Sequence, residues 1–206
     1  MQMNTAPTKG NLMAAKNTLR LSQRGYEMLD KKRNILIREM MQLIEEAKEV
    51  EAGIEETFSH AYRALEDASL IMGMHNIENF AQSAPIEDSV TIDLRSVMGV
   101  EIPVVRNDEQ TDRPVYSFYS TTSALDEALI KFNAVKHMTV KLTEIENAIY
   151  RLAVNISKTQ KRANALENIT IPMYESITKE ISTALEEKER EEHTRLKIIK
   201  RGKEEE

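Results

Sequence analysis

The side chains that most often carry chemistry in proteins are few and widely spaced in this chain. The four histidines, His60, His75, His137 and His193, form no H-x-x-x-H or H-E-x-x-H pair, so a helical zinc site is not indicated. The six glycines are scattered singly and match neither G-x-x-x-x-G-K-[ST] nor G-x-G-x-x-G, so a phosphate-binding loop is not indicated either. Cysteine is absent, which excludes disulfides and thiolate metal ligands.

Acidic and basic side chains are plentiful, and many lie at helical spacings. Carboxylates on an open pair of helices stay solvated, so burial cannot shift their pKa values toward those that a general acid or base needs. Two paired helices also enclose no deep apolar pocket for a substrate. We therefore expect no catalytic site, no metal and no cofactor, and a mechanical or scaffolding role.

Two apolar seams with the heptad period run near the two ends of the chain. Of the 13 positions in the first seam 11 are apolar, and of the 12 positions in the second 10 are apolar. The first seam consists of Leu12, Ala15, Leu19, Ser22, Tyr26, Leu29, Arg33, Leu36, Met40, Leu43, Ala47, Val50 and Ile54. The second consists of Met138, Leu142, Ile145, Ile149, Leu152, Ile156, Thr159, Ala163, Leu166, Thr170, Met173 and Ile177. A 3.5-residue period keeps one narrow stripe facing a partner helix, so the two seams most simply pair antiparallel into a long shaft.

The seams predict an all-α-dominated fold, a long antiparallel two-helix coiled coil with a short β-hairpin insertion. Thr8 is a plausible N-cap, so the first helix is expected from Thr8 to about Met74. The second is expected from Thr122 or Ser123 to about Lys200. The corresponding segments are an N-terminal coiled-coil helix in 1–74, a connecting segment with the hairpin in 75–121, and a C-terminal helix with a polar tail in 122–206.

One proline interrupts the second seam. Pro172 costs a hydrogen bond and about 3 kcal/mol in a helix interior. The apolar spacing nevertheless resumes at Met173 and Ile177. We expect a helix that is bent at Pro172 but continuous.

The segment between the helices alternates with a period of two, which is typical of strands. The alternating residues are Val90, Ile92 and Leu94, then Val100, Ile102 and Val104. With the polar stretch Asn107–Asp112 and the following Pro114–Tyr119, they predict a β-hairpin with a six-residue loop at the turn of the shaft. Two strands alone are marginal, so the hairpin must lean on the helices or on a partner.

The net charge of −6 conceals a gradient along the chain. Residues 1–38 carry eight basic and two acidic side chains, whereas residues 39–88 carry twelve acidic and two basic ones. This charge gradient favours different partners at different positions along the shaft. The alternative is that the outer positions of the heptads are charged only because they face solvent. The basic stretch lacks interleaved aromatic residues, so nucleic-acid binding is not expected. No run approaches 18 apolar residues, so direct membrane insertion is not expected.

Several blocks go beyond the heptad pattern and resemble the D-subunit family of the V-type/A-type rotary ATPases. They cover most of the chain in the family's order. They are Pro7–Lys9, Arg24–Arg33, Ser96–Pro103, Tyr116–Tyr119, Arg162–Glu167, Ile171–Pro172 and Glu186–Lys197. The chain departs from the family pattern at Asp30, where Lys is usual, at Asn34, where Asp is common, and at Ala163, where Val is common.

The resemblance implies a non-catalytic central rotor shaft of a proton- or sodium-translocating ATPase/ATP synthase. Such a shaft is a peripheral component at the cytoplasmic face of a membrane complex. In that family both termini project into the ring of catalytic A and non-catalytic B subunits. The middle of the shaft pairs with the F subunit, and the hairpin end faces the C/d subunit. ATP sites lie on the ring, so this chain needs no cofactor.

Two sets of residues are singled out, one by the heptad seams and one by the basic N-terminal stretch. The seam residues expected to hold the shaft together are Leu19, Leu29, Leu36, Leu166, Met173 and Ile177. The basic tip, which the resemblance places inside the ring, consists of Lys9, Lys16, Arg20, Arg24, Lys31, Lys32 and Arg33. Heptads alone would equally suit a coiled-coil adaptor or tether. A peripheral-stalk stator of the same machine ranks lower, because stators usually lack this hairpin organisation.

Overall fold

The computed structural model describes residues 6–83, 90–107, 116 and 121–204. Helices dominate, with one two-stranded antiparallel sheet, which confirms the predicted fold class. The elements are α1 (Lys9–Met72), α2 (Met74–Ser83), β1 (Val90–Val97), β2 (Val100–Asn107), α3 (Ser123–Ala165), a π-turn (Leu166–Thr170) and α4 (Ile171–Glu204).

The ends of α1 follow from local capping. Thr8 is its N-cap, as predicted, because its hydroxyl accepts a hydrogen bond from the backbone N–H of Asn11 at 3.2 Å. At the other end Gly73 has a φ of +81° and donates its N–H to the carbonyl of Ser69 at 2.9 Å. A left-handed residue at this position satisfies a terminal carbonyl and stops the helix. The chain re-enters a helix at Met74, and this short α2 was not predicted.

The second long helix begins at Ser123, as predicted, and contains a π-turn that the heptad pattern does not reveal. The backbone N–H of Ile171 bonds to the carbonyl of Leu166, five residues earlier. The Thr170 hydroxyl likewise bonds to the carbonyl of Ala165 at 3.3 Å. The wider turn lies directly before Pro172, which lacks the N–H that an α-turn would use. The helix therefore continues past the proline.

The chain divides into two compact units, Met1–Asn34 with Ser157–Glu206, and Ile35–Ile156. In the first unit, which we call the terminal unit, α1 runs antiparallel to the end of α3 and to α4. Lys9 pairs with Glu189 at 2.9 Å, and Arg33 bonds to Gln160 at 2.7 Å. Residue numbers rise along one helix as they fall along its partner.

In the second unit, which we call the hairpin unit, α1 and α3 also run antiparallel. Lys141 pairs with Glu46 at 3.0 Å. The rings of Tyr62 and Phe132 meet edge to face with centroids 5.5 Å apart. Both contacts join α1 to α3 within this unit.

The hairpin of β1 and β2 closes through a two-residue turn, whereas the predicted six-residue loop, residues 107–112, lies at the end of β2 and beyond it in the chain. The strands pair antiparallel from Val90 opposite Asn107 to Val97 opposite Val100. Met98 and Gly99 form the turn with φ values of 51° and 75°. Positive φ at both positions matches the right-handed twist of the strands. The signal was hidden because a methionine occupies a position that usually carries Asn, Asp or Gly. The expected loop residues 108–112 and most of Pro114–Tyr119 lie outside the described residues.

The hairpin packs against the middle of the helices. The prediction that it lies at the turn of the shaft was therefore wrong. Val100 and Ile102 are buried in one cluster with Leu36, Ala148 and Leu152. Flanking this cluster are Met40, Leu43, Val97 and Ile156. A two-stranded sheet needs an apolar surface to be stable, and this flank of the helix pair provides one.

Candidate interaction surfaces

The seam residues of the two units are buried or partly buried, with the exception of Met173, as a helix-pairing stripe requires. Leu36 is fully buried in the hairpin unit, where Leu152 is also fully buried. Leu19, Leu29 and Leu166 are partly buried in the terminal unit. Burying an aliphatic side chain of this size contributes about 1.5–3 kcal/mol, so these positions resist separation of the helices.

Met173 lies outside the buried stripe. It is 36% exposed, whereas Ile181, which was not selected from the sequence, is only 5% exposed. The cause is the π-turn, which inserts one extra residue and turns the following helix by about 100° relative to a continuous α-helix. Ile177 stays partly buried on the flank of the shifted stripe.

Arg33 is a link between helices and not a free cation of the basic tip. Its Nη1 donates a hydrogen bond to Gln160 Oε1 at 2.7 Å, and its Nη2 pairs with the carboxylate of Asp30. Gln160 in turn donates to the Oδ1 of Asn164 at 2.6 Å. The polar seam position is therefore satisfied within the chain.

Lys9, at the other end of the basic tip, also has an intramolecular partner. Its Nζ lies 2.9 Å from Glu189 Oε1. The hydrogen bond to Glu189 raises the pKa of the Lys9 ammonium. Both side chains are largely exposed, so this pair marks where α4 passes α1 and contributes little to stability.

Of the basic tip, four exposed cations on α1 remain, Lys16, Arg20, Arg24 and Lys31, and we call them the basic stripe. Their spacings of four, four and seven keep them on one side of the helix. None of the four forms an ion pair with any residue that the structure describes. Lys32 is partly buried and does not share their face. The stripe is therefore available to an acidic surface of another molecule.

Two exposed apolar groups were missed from the sequence. Leu70, Ile71 and Met74 surround the Gly73 turn and are 79%, 65% and 62% exposed. On β1, Ile92 and Leu94 are 67% and 58% exposed. Their strand alternation was visible, but alternation identifies two faces and does not say which one is covered.

A small cleft lies between the hairpin and the helices of the same unit. Its volume is about 160 Å³, which is below the usual range of small-molecule sites. Its lining includes the apolar side chains of Leu43, Ile102 and Ile145 and the charged side chains of Glu46 and Lys141. Glu46 and Lys141 already pair with each other, so the cleft has the character of a packing gap.

Tyr116 ties the described part of the connecting segment to two helices. Its hydroxyl donates a hydrogen bond to Asp126 Oδ1 at 2.7 Å, and its ring lies 5.7 Å from that of Phe80. Burial and then the hydrogen bond to Asp126 raise the pKa of Tyr116 to about 12.

These features define a class of protein that works through packed helices and exposed interaction surfaces. Among the residues that the structure describes, no three His, Asp or Glu side chains gather where they could hold a metal ion. Within the same described residues, no helix is both long and apolar enough to cross a membrane.

The comparisons with known proteins name the family. The family model of the ATP synthase D subunit matches residues 11–201. The chain is 43% identical over 198 residues to the V-type ATP synthase D subunit of Thermotoga neapolitana, covering 96% of this chain and 98% of that protein. It is 37% identical over 200 residues to the A-type ATP synthase D subunit of Methanobrevibacter smithii, covering 94% and 85%. The chain therefore belongs to the ATP synthase D-subunit family.

Members of this family are central-stalk components of V-type/A-type rotary ATPases, which makes this chain a non-catalytic stalk component of a membrane complex. The match extends over most of the length of this chain and of both relatives. The adaptor or tether alternative is therefore not favoured.

Proposed function

We propose that this chain is the rotor shaft that transmits torque between the catalytic A/B ring and the membrane rotor ring. It serves ATP synthesis or ATP-driven pumping of protons or sodium ions, and it lies at the cytoplasmic face of the membrane. The chain itself performs no chemistry, because the ATP sites belong to the ring subunits. The observation that carries the proposal is the buried stripe joining antiparallel helices in each unit, together with the family match.

The basic stripe is the surface we assign to the A/B ring. It lies in the terminal unit, which the family resemblance places inside the ring. These four cations on one helix side, which form no ion pair within the described residues, would attract acidic segments of the surrounding subunits and help to centre the shaft. Each exposed pair contributes only about 0–1 kcal/mol, so shape and stiffness carry most of the contact.

Two apolar surfaces of the hairpin unit are assigned to the remaining partners. Leu70, Ile71 and Met74, next to the Gly73 turn, suit the C/d subunit, because they are exposed where α1 ends. Met41 and Tyr150, which are 51% and 69% exposed in the middle of the long helices, suit the F subunit. Exposed apolar and aromatic residues of this kind are typical of interface centres.

Native mass spectrometry of the chain co-expressed with A, B, F and C/d subunits tests the proposal. A central shaft must appear as one copy in a ring that contains several A and B subunits. A stator or tether would instead appear in several copies, or as a homodimer that does not join the ring. Either of those results would contradict the rotor assignment.

The surface assignments are tested in the same system with matched variants. Leu70→Ser with Met74→Ser should release the C/d subunit while leaving the ring and the F subunit bound. Met41→Ser with Tyr150→Ser should release the F subunit alone. Each pair is the control for the other, and loss of all partners from both variants would show general unfolding and not a specific interface.

A further inference from the structure

We propose that the outer edge of β1 accepts one extended strand from another subunit of the complex. The inference rests on the family membership of the chain and not on its role as a rotor. It begins with the two edges of the sheet formed by β1 and β2. Each edge of a two-stranded sheet presents a row of backbone N–H and C=O groups that have no partner in the sheet, and natural proteins usually cover or block such a row.

The two-residue turn determines which backbone groups point away from the sheet. In such a hairpin the flanking residues, here Val97 and Val100, form a hydrogen-bonded pair. Hydrogen-bonded and non-hydrogen-bonded pairs alternate from there, so the backbone N–H and C=O groups of Ile92 and Leu94 point outward from β1. Pro103 faces Leu94 and occupies an outward position on β2, which is where a strand tolerates the missing N–H of proline.

The outer edge of β2 is blocked within the chain. Pro103 is buried and has no N–H to donate to a further strand. The backbone carbonyl of Glu101 accepts a hydrogen bond from Arg151 Nη1 on α3 at 3.3 Å. A proline and a covering helix are both common means of preventing another strand from pairing with an edge.

The outer edge of β1 has neither protection among the residues that the structure describes. The strand, VTIDLRSV, contains no proline and no lysine, and seven of its eight residues are exposed. Its two charged side chains already have partners, because Arg95 pairs with Glu39 and Asp93 pairs with Arg106 at 2.6 Å. An incoming strand therefore meets an open row of backbone groups and no uncompensated charge.

The side chains of β1 indicate the chemistry of the partner strand. Val97 packs with the cluster on the helices, so Ile92 and Leu94 point to the opposite face of the sheet, where both are exposed. An added strand would place every second side chain beside them. We therefore expect an extended segment with apolar residues at alternate positions, bound by main-chain hydrogen bonds and selected by these side-chain contacts.

Such a strand would hold its subunit in a fixed orientation on this chain. The hairpin is itself packed on the helices, because Val100 and Ile102 are buried together with Leu36 and Leu152. A partner strand added to β1 would extend this packed sheet from two strands to three. The hairpin would then act as an adaptor between the helix pair and a neighbouring subunit.

Hydrogen exchange resolved to single amides tests the proposal with the full-length chain. It is measured on the isolated chain and on the complex co-expressed with the A, B, F and C/d subunits. The amides of Ile92 and Leu94 should exchange rapidly in the isolated chain and at least about tenfold more slowly in the complex, because only the complex supplies a strand. The inward-pointing amides of Val100 and Ile102 should be protected in both samples and report that the hairpin is folded.

Two proline substitutions at facing positions provide matched variants. Ile92→Pro removes an outward N–H from β1, and Val105→Pro, directly opposite, removes one from β2. Ile92→Pro should weaken the binding of one partner subunit by about tenfold or more, whereas Val105→Pro should change it by less than about twofold. Ile92→Ser keeps the N–H and loses the apolar side chain, so it should weaken binding less than Ile92→Pro.

The outcomes distinguish an added strand from other contacts. Rapid exchange of Ile92 and Leu94 in the assembled complex would overturn the proposal and leave the rotor assignment intact. Slow exchange of both amides in the isolated chain would also overturn it, because the chain would then fill its own edge. Equal losses of binding from Ile92→Pro and Ile92→Ser would assign the contact to the side chain and contradict an added strand. If rapid exchange at Val100 shows that Ile92→Pro unfolds the hairpin, the comparison of the isolated and assembled wild-type chain decides the question.

Discussion

The guanidinium of Arg33 on α1 donates a hydrogen bond to the side-chain carbonyl of Gln160 on α3, across a seam that is otherwise mostly apolar. The N···O distance is 2.7 Å, and Asp30 balances the charge of Arg33 from the preceding turn of α1. A polar pair at one seam position specifies the register of paired helices, because any other register leaves the buried groups without partners. Arg33 is thus better understood as a register-setting residue than as part of the basic tip.

This relationship predicts the stability of two neighbouring variants. Arg33→Ala should lower the free energy of unfolding by about 1–3 kcal/mol, because Gln160 and Asp30 lose their partner in a partly buried position. Lys31→Ala, at an exposed position without an ion pair among the described residues, should stay within about 0.5 kcal/mol. Urea denaturation of the isolated chain measures both. Equal effects would show that the seam pair has no special role.

The raised pKa of Tyr116 predicts a pH dependence in the alkaline range. The pKa of the phenol is about 10 in an unfolded chain and about 12 here, because burial and the Asp126 hydrogen bond favour the neutral form. Its contribution to stability is therefore complete below about pH 10 and is lost as the pH rises through about 12. Tyr116→Phe should remove this component from the pH profile of urea denaturation. Tyr62→Phe, whose hydroxyl is on an exposed residue, should leave the profile unchanged.

The seams were predictable because the heptad period acts on every residue of one stripe. Leu36 and Leu152 occupy that stripe, and both are fully buried. The helix start at Thr8 was predictable because an N-cap is a local interaction. The family was recognisable from short blocks that a coiled-coil period does not require.

The remaining features depend on tertiary choices that no local pattern specifies. Pro172 indicated a local disturbance of the helix but not its form, which is the π-turn Leu166–Thr170. The alternation through Val100 and Ile102 predicted that one face of the strand is buried. It did not predict which surface covers that face. Exposure of the basic stripe was equally hidden, because it required knowing that Arg33 is used internally.

The basic stripe predicts a salt-dependent contact with the ring. Replacing Lys16, Arg20, Arg24 and Lys31 together by Gln should weaken binding of the chain to a purified A/B ring, and more strongly at low than at high salt. Each single replacement should change affinity only slightly, since an exposed pair contributes about 0–1 kcal/mol. Titration of the ring with labelled chain at two ionic strengths measures the effect. Unchanged binding by the fourfold variant would remove the electrostatic assignment while leaving the shaft assignment intact.

The docking of the hairpin predicts unequal effects for two isoleucines, one on each strand. Ile102→Ser should destabilise the hairpin by several kcal/mol, because a buried aliphatic side chain is replaced by a hydroxyl. Ile92→Ser should have little effect, because Ile92 is 67% exposed. Hydrogen exchange of the amides in Val90–Asn107 gives the readout. Similar exchange in the two variants would mean that the hairpin does not depend on its contact with the helices.

The seam predicts that torque transmission can be lost without loss of catalysis. Leu36→Asn with Leu166→Asn places an amide in the stripe of each unit, and a large-to-small change at a buried leucine alone costs about 2–5 kcal/mol. ATP hydrolysis by the A/B ring should continue, because no nucleotide site is touched, whereas ion pumping by the reconstituted complex should fall. Ile130→Asn, at a residue that is 69% exposed, is the matched control and should leave both activities normal. Provided that the double variant assembles, an equal fall in hydrolysis and pumping would contradict a purely mechanical role. Normal values for both would mean that these two positions carry no load, so the ratio of pumping to hydrolysis is the quantity that decides between these outcomes.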